Sequence, residues 1–141
     1  MKILVAVDGS RYSKRMLGYL AAHDEWLGGA HQYTVIHVVP AVHPRAAAVI
    51  DKAALKVYYD EEGEKVLKPI RAFFSKKRDL EVSFTVMTGS AADKIVSTAT
   101  KGDFDMVIMG SHGHGTLGNL VLGSVATKVL AHCKTPVLLV R

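Results

Sequence analysis

Short apolar runs alternate along this chain with stretches in which apolar residues recur at helical spacing. The runs are four to eight residues long and are rich in β-branched and aliphatic residues, which is typical of strands rather than helices. Five strands are predicted at residues 3–7, 33–39, 81–87, 106–109 and 135–141. In the third of these, Val82, Phe84 and Val86 alternate with polar residues, which favours an edge position.

The intervening stretches predict helices. Ser10 can cap the first, which Gly28 and Gly29 should end, and a loop at residues 41–45 should precede the second. The second helix should span residues 46–76, with a bend or break at Gly63 and Pro69. Ser90 opens a capping-box spacing with Asp93. In the last helix one apolar face is predicted to contain Val125, Ala126, Val129 and Leu130.

Strands and helices alternate with short connections, which predicts an α/β fold with a parallel sheet covered on both faces by helices. The length of 141 residues favours one domain over residues 1–141. No apolar stretch is long enough to span a membrane, and the first apolar run is too short for the core of a signal peptide, so we expect a cytoplasmic protein without a membrane partner. The single cysteine, Cys133, excludes an intrachain disulfide.

The net charge of +5 is consistent with an anionic ligand. It does not predict nucleic-acid binding, because the basic residues are not interleaved with aromatic ones. A solvated helix face is the expected role of the basic cluster Lys65, Lys68, Arg71, Lys76, Lys77 and Arg78.

A glycine-rich loop between the fourth strand and the last helix is the main chemical signal. Strand, flexible loop and helix together can place backbone N–H groups and the positive end of a helix around a phosphate. No acidic residue follows Asp105. A P-loop is rejected because Ser124 stands where lysine is required after Gly118 and Gly123. Gly113 to Gly118 match the dinucleotide fingerprint, but the acid that should hold the ribose is missing downstream.

A third pattern, Gly110-x2-Gly113-x9-Gly123-Ser124, resembles the nucleotide signature of the universal stress protein family, ATP-binding branch. The resemblance extends to the opening strand and turn at residues 3–10, the second strand, the turn at residues 88–91 and the closing strand at 136–140. It implies a doubly wound, five-stranded parallel sheet in the order 3-2-1-4-5, with ATP and Mg²⁺ bound at the carboxyl ends of the first and fourth strands.

The resemblance also implies roles for individual residues. Asp8 would lie near the ribose and a metal-bound water, and Val38 and Val39 would flank the adenine. The residues expected to border ribose and phosphates are Met109, Gly110, His112, Gly113, Gly123, Ser124 and Val125. Glycine would leave room for the phosphates at positions 113 and 123. Position 112 is often arginine in nucleotide-binding members, so His112 removes a permanent charge from the expected site.

Three functions are compatible with these residues. The first is an ATP-responsive stress or signalling module that acts on an unidentified protein partner. The second is a slow ATPase, although no general base or arginine finger is evident. The third is an adaptor of the same fold that works without nucleotide. A homodimer through the last strand is also expected, because Val137 to Val140 are all apolar at the outer edge of the sheet.

Overall fold

The computed structural model describes residues 1–77, 79–115 and 121–141. Gly118 of the rejected phosphate motifs and Arg78 of the basic cluster lie outside these residues. The described chain forms one parallel sheet of five strands in the order β3-β2-β1-β4-β5, as predicted. Its strands are β1 (Lys2–Ala6), β2 (Gln32–Val39), β3 (Glu81–Thr88), β4 (Met106–Gly110) and β5 (Val137–Val140).

Helices cover both faces of this sheet. Their bounds are α1 (Arg11–Ala22), α2 (Asp24–Leu27), α3 (Pro44–Ala47), α4 (Lys52–Phe74), α5 (Ala91–Lys101) and α6 (Ser124–His132). Apolar residues of α1 and α4 pack on one face, around Ile3, Val5 and Ile108. Residues of α5 and α6 pack on the other face, around Leu4 and Val107. Within the described ranges, no helix is both long and apolar enough to cross a lipid bilayer.

The long second helix differs from its prediction. It begins at Lys52 rather than residue 46, since the side chain of Asp51 caps the amides of Ala53 and Ala54. The predicted break at Gly63 and Pro69 is wrong, because both residues lie inside one continuous helix. Packing overrides the local propensity here: Gly63 is buried against Val86 of β3, and Leu67 and Ile70 are in the core.

Three smaller predictions also need correction. Part of the loop expected at residues 41–45 forms α3, and the region before Gly28 contains the separate short helix α2. Ser90 occupies the N-cap of α5, but its side chain makes no capping hydrogen bond. Leu130 is 43% exposed, so the buried stripe of α6 is narrower than its apolar pattern suggested. The edge position of β3 and the Ser10 cap of α1 are confirmed.

Much of the basic cluster makes ion pairs on the surface. Lys65 pairs with Glu62, and Arg71 contacts Glu64 with an N–O distance of 2.6 Å. Lys77 lies 3.3 Å from Asp24. These contacts agree with the interpretation of the cluster as a solvated helix face.

Candidate functional site

The carboxyl ends of β1 and β4 lie side by side. The two strands pair in parallel, with Ala6 beside Met109. The turn after β1 carries Asp8, and the loop after β4 begins with Ser111, whose amide donates to the carbonyl of Val140 at 2.9 Å. Successive strands are added in one direction from β1 to β3 and in the other direction from β4 to β5. The crevice between β1 and β4 is therefore the topological switch point, where α/β proteins characteristically bind their ligands.

A cavity of about 230 Å³ opens at this edge. Its apolar lining comes from β1, β2, β4, α5 and α6, and includes Ala6, Ile36, Val38, Ile95, Met109 and Val125. Its polar side chains are Asp8, Ser13, His112, His114 and Ser124, and four glycines complete the described lining: Gly110, Gly113, Gly115 and Gly123. An apolar cavity with a few converging polar groups is the usual form of a small-molecule site.

Nine of the ten predicted site residues line this cavity, and Val39 is the exception. Val38 lines it because successive side chains of a strand point to opposite faces of the sheet. The Val39 carbonyl instead accepts a hydrogen bond from the amide of Gly89 at 3.0 Å. Side-chain alternation could have excluded Val39 from the cavity at the outset.

The carboxylate of Asp8 is held on one side. Its Oδ1 accepts hydrogen bonds from the amide of Ser10 at 2.9 Å and from the hydroxyl of Ser13 at 2.8 Å. The Ser13 hydroxyl in turn accepts from the amide of Asp8 at 2.9 Å. In the described part of the chain no donor reaches Oδ2, which lies beside Gly113. Asp8 therefore presents one carboxylate oxygen for a ligand.

The loop after β4 is tied to both sides of the cavity. His114 Nε2 donates to the carbonyl of Asp8 at 2.6 Å. The ring of His112 packs against that of Tyr12, with 4.9 Å between the centroids, and its Nδ1 lies 2.9 Å from the hydroxyl of Ser111. The amide of Gly123 donates to the carbonyl of Ser111 at 2.8 Å, which brings the start of α6 against the loop.

The signature glycines lie close to other groups of the protein itself. A Cβ on Gly113 would lie 2.7 Å from Asp8 Oδ2, and one on Gly123 would lie 3.0 Å from the Cα of His112. At Gly110 it would lie 2.8 Å from the Cβ of Tyr12. A Cβ on Gly115 would meet no atom of the described residues within 4 Å. Room for phosphates is thus not the only reason for glycine at positions 113 and 123, as the motif alone suggested.

The N-terminus of α6 faces the cavity. The first three helical residues, Ser124, Val125 and Ala126, all line it. Amides at these positions have no partner inside a helix, and Gly123 at the N-cap has no side chain to satisfy them. With the positive end of the helix dipole, they form a ready site for an anion.

The described lining of the cavity carries few formally charged side chains. Among its described lining residues, Asp8 supplies the one carboxylate, and neither lysine nor arginine is present. On α1, Arg11 and Arg15 lie 5.0 and 5.8 Å from the ring of Tyr12, which packs against His112 of the lining. Over the described residues, no group of three or more His, Cys, Asp or Glu side chains is arranged to hold a metal ion.

Several lining residues were not predicted from the sequence. Ser13 and His114 are the polar ones, and Ala6, Ile36 and Ile95 are apolar. Strand pairing places Ala6 beside Ile36, so a correct register would have found both. Ser13 follows Asp8 by five residues across a turn, and no periodicity marks that relation.

Known proteins resemble this chain over its whole length. The universal stress protein family model matches residues 1–141. The chain belongs to the universal stress protein family. A universal stress protein of Thermus aquaticus is 32% identical over 139 residues, covering 99% of this chain and 97% of the relative. Another, MJ0531 of Methanocaldococcus jannaschii, is 32% identical over 141 residues, covering 99% of this chain and 81% of the relative.

The universal stress protein fold is also found among solved structures. The structure of MJ0577, a universal stress protein of Methanocaldococcus jannaschii, superimposes with a TM-score of 0.78. It is 26% identical to this chain, with 99% of this chain and 94% of that one covered. The strand order predicted from the resemblance is therefore correct.

Proposed function

We propose that this universal stress protein binds ATP together with Mg²⁺ in the cavity between β1 and β4, and acts as a nucleotide-responsive module. One observation carries the proposal: the amide-bearing N-terminus of α6 and the available Oδ2 of Asp8 share one largely apolar cavity. Such a site offers a place for phosphates, a place for hydroxyl or water donors, and apolar surface for a base.

Related structures supply a second line of support. One universal stress protein was solved with cAMP, at 20% identity and a TM-score of 0.71. The protein from Archaeoglobus fulgidus was solved with dAMP, at 22% identity and a TM-score of 0.67. A family member from Arabidopsis thaliana was solved with AMP, at 15% identity and a TM-score of 0.69. At these identities the likeness is one of fold, but all three ligands contain adenine and phosphate.

In the proposed complex the phosphates lie against the amides of Ser124 and Val125, where the helix dipole favours negative charge. Asp8 would repel the phosphates, so we assign its Oδ2 to a ribose hydroxyl or to a water bound to Mg²⁺. Mg²⁺ commonly keeps several waters and uses substrate phosphates as ligands, so a single indirect carboxylate is compatible with it. Val38 and neighbouring apolar side chains cover the adenine in this proposal, and Val39 has no side-chain role.

The proposed role is binding rather than turnover. ATP occupancy would alter contacts with an unidentified protein partner or between two copies of the chain, in the cytoplasm, where ATP and Mg²⁺ are available. The described cavity contributes no arginine to stabilise a phosphoryl transition state. We therefore expect hydrolysis to be slow or absent, and a turnover of many per second that is lost in Asp8→Asn would contradict this view.

Calorimetry with ATP and Mg²⁺, with NAD as the competing ligand, tests the proposed function. We expect saturable binding of ATP in preference to NAD, and weaker ATP binding in Asp8→Asn. Asp93→Asn is the matched control, because Asp93 carries the same charge in the first turn of α5 and does not line the cavity. Equal ATP affinity in the wild type and Asp8→Asn would refute the site assignment.

A homodimer through β5 is the second part of the proposal. This strand forms the outer edge of the sheet and contains four apolar residues. Val137 and Leu139 pack toward one core face, and Leu138 and Val140 toward the other, so the side chains are partly covered by the chain itself. The edge backbone still offers N–H and C=O groups, and antiparallel pairing with a second copy would satisfy them.

Light scattering at micromolar concentration tests the dimer. Leu139→Lys introduces a charge at the proposed interface and should yield a folded monomer. Leu130→Lys is the control, since it makes the same change at a 43% exposed position on α6 and should leave the dimer intact. A monomeric wild type at that concentration would refute the proposed interface.

A further inference from the structure

The turn after β1 assigns different tasks to two buried serines. Ser10 and Ser13 are each 4% exposed. Ser10 caps α1, with its hydroxyl oxygen 3.4 Å from the amide nitrogen of Ser13. The Ser13 hydroxyl does not cap the helix but bonds twice to Asp8, once to its amide and once to its carboxylate. It therefore constrains both the backbone and the side chain of the one acidic residue in the described cavity lining.

From these contacts we infer that Ser13 is a positioning residue for nucleotide binding: its hydroxyl orients the Asp8 carboxylate so that Oδ2 alone faces the ligand. This inference rests on the proposed function and assigns a new residue to the same site. Neither the signature glycines nor the residues implied by the family resemblance include Ser13.

The two hydrogen bonds explain how one small side chain can set the orientation. An Asp carboxylate otherwise turns about χ2, a torsion with a broad energy profile. The Ser10 amide holds Oδ1 from one direction and the Ser13 hydroxyl holds it from another. With two donors on the same oxygen, rotation would break at least one charge-assisted hydrogen bond. The remaining oxygen is thereby kept toward the cavity, beside Gly113.

Ser13 also lines the cavity, so it could contact the nucleotide directly. A double-mutant cycle separates that contact from the orientation of the Asp8 carboxylate. Affinity for ATP with Mg²⁺ is measured by calorimetry in the wild type, Ser13→Ala, Asp8→Ala and the double variant. We expect Ser13→Ala to weaken binding about tenfold, as is common when a group that orients a ligating side chain is removed. In the Asp8→Ala background the same change should have almost no effect, because the carboxylate that it orients is absent.

Two further variants guard against a merely structural explanation. Asp51→Ala removes the side-chain cap of α4 outside the described cavity lining, so it should lower thermal stability while leaving ATP affinity near that of the wild type. Ser13→Thr keeps the hydroxyl and should recover most of the affinity. Circular dichroism establishes that each variant is folded.

Two results would overturn the inference. One is a loss of affinity from Ser13→Ala that is equally large in the wild-type and Asp8→Ala backgrounds, which indicates direct contact with the ligand. The other is a Ser13→Ala variant that binds ATP like the wild type. If the wild type binds no nucleotide, the proposed function fails, and a crystal structure of Ser13→Ala still decides the inference. A turned or disordered Asp8 carboxylate in that structure supports the orienting role, whereas an unchanged one refutes it.

Discussion

Gly113 and Gly115 form a matched pair for testing the site. They are two residues apart in the same loop, and both line the cavity. Neither has the left-handed backbone conformation seen at Gly9 and Gly89, so alanine fits the backbone at both positions. Among the described residues, the new methyl group meets another group at Gly113, where it would lie 2.7 Å from Asp8 Oδ2, and meets none at Gly115.

The magnitude follows from that distance. A carbon and an oxygen atom in contact are normally separated by about 3.3 Å or more, so the carboxylate or the loop must move by about 0.6 Å. The carboxylate is held by the Ser10 amide and the Ser13 hydroxyl, and a hydrogen bond to a charged group contributes about 1.5 to 3 kcal/mol. Weakening one such bond while covering Oδ2 should reduce affinity for ATP with Mg²⁺ by roughly 10- to 100-fold.

Calorimetry on Gly113→Ala and Gly115→Ala measures this difference, and urea unfolding checks stability in parallel. Gly115→Ala should bind like the wild type, because its methyl group meets nothing within 4 Å in the part of the chain that the structure describes. Equal affinities in the two variants would refute the reasoning, whether both bind normally or both fail. Alanine is the better probe, since valine at position 113 would disturb the loop even in the absence of ligand.

Three further predictions concern stability, its pH dependence and ATP affinity. Burial, with a smaller contribution from Asp24, raises the pKa of Tyr33 to about 12. The contribution of this shift to stability is fully present below the ordinary tyrosine pKa and is lost as pH rises through the raised pKa. The unfolding free energy should therefore fall by about 2 to 3 kcal/mol as pH rises from 10 to 12, and urea titrations of Tyr33→Phe should lack that fall. Gly63→Ala should destabilise the protein by about 1 kcal/mol despite the better helix propensity of alanine, because the Cβ would lie 2.8 Å from both methyl groups of Val86; Val86→Ala should remove this penalty in urea unfolding. His112→Gln should weaken ATP binding, because it removes a ring that lines the cavity and packs against Tyr12, and calorimetry measures the change.

The sheet was predictable because its strands are continuous apolar runs separated by helices. Ile3 to Val7 and Met106 to Met109 need no tertiary information to be identified as buried strands. The strand order came from the family resemblance, since alternation alone predicts a parallel sheet without its order. Element ends were less accurate, because a cap such as Asp51 decides where α4 begins and competes with helix-forming residues on either side.

The candidate site was only partly predictable for the same physical reason. Glycine spacing marks a loop that approaches other groups closely, but it does not say whether those groups belong to the protein or to a ligand. The approach of Gly113 to Asp8 joins two loops that are more than a hundred residues apart in the chain. Ser13 has no pattern that distinguishes it from any other serine on a helix, so its bonds to Asp8 required the structure.

A titration of ¹⁵N-labelled protein with ATP and Mg²⁺, followed by amide NMR spectra, tests the central proposal most directly. We expect saturable shifts of the amide signals of Ser124, Val125 and Ala126, together with those of Asp8 and Gly113. Amide signals around Ser83 in the edge strand β3 should remain unchanged. Spectra without saturable shifts at millimolar ATP, or shifts confined to residues away from α6 and the β1 turn, would contradict it.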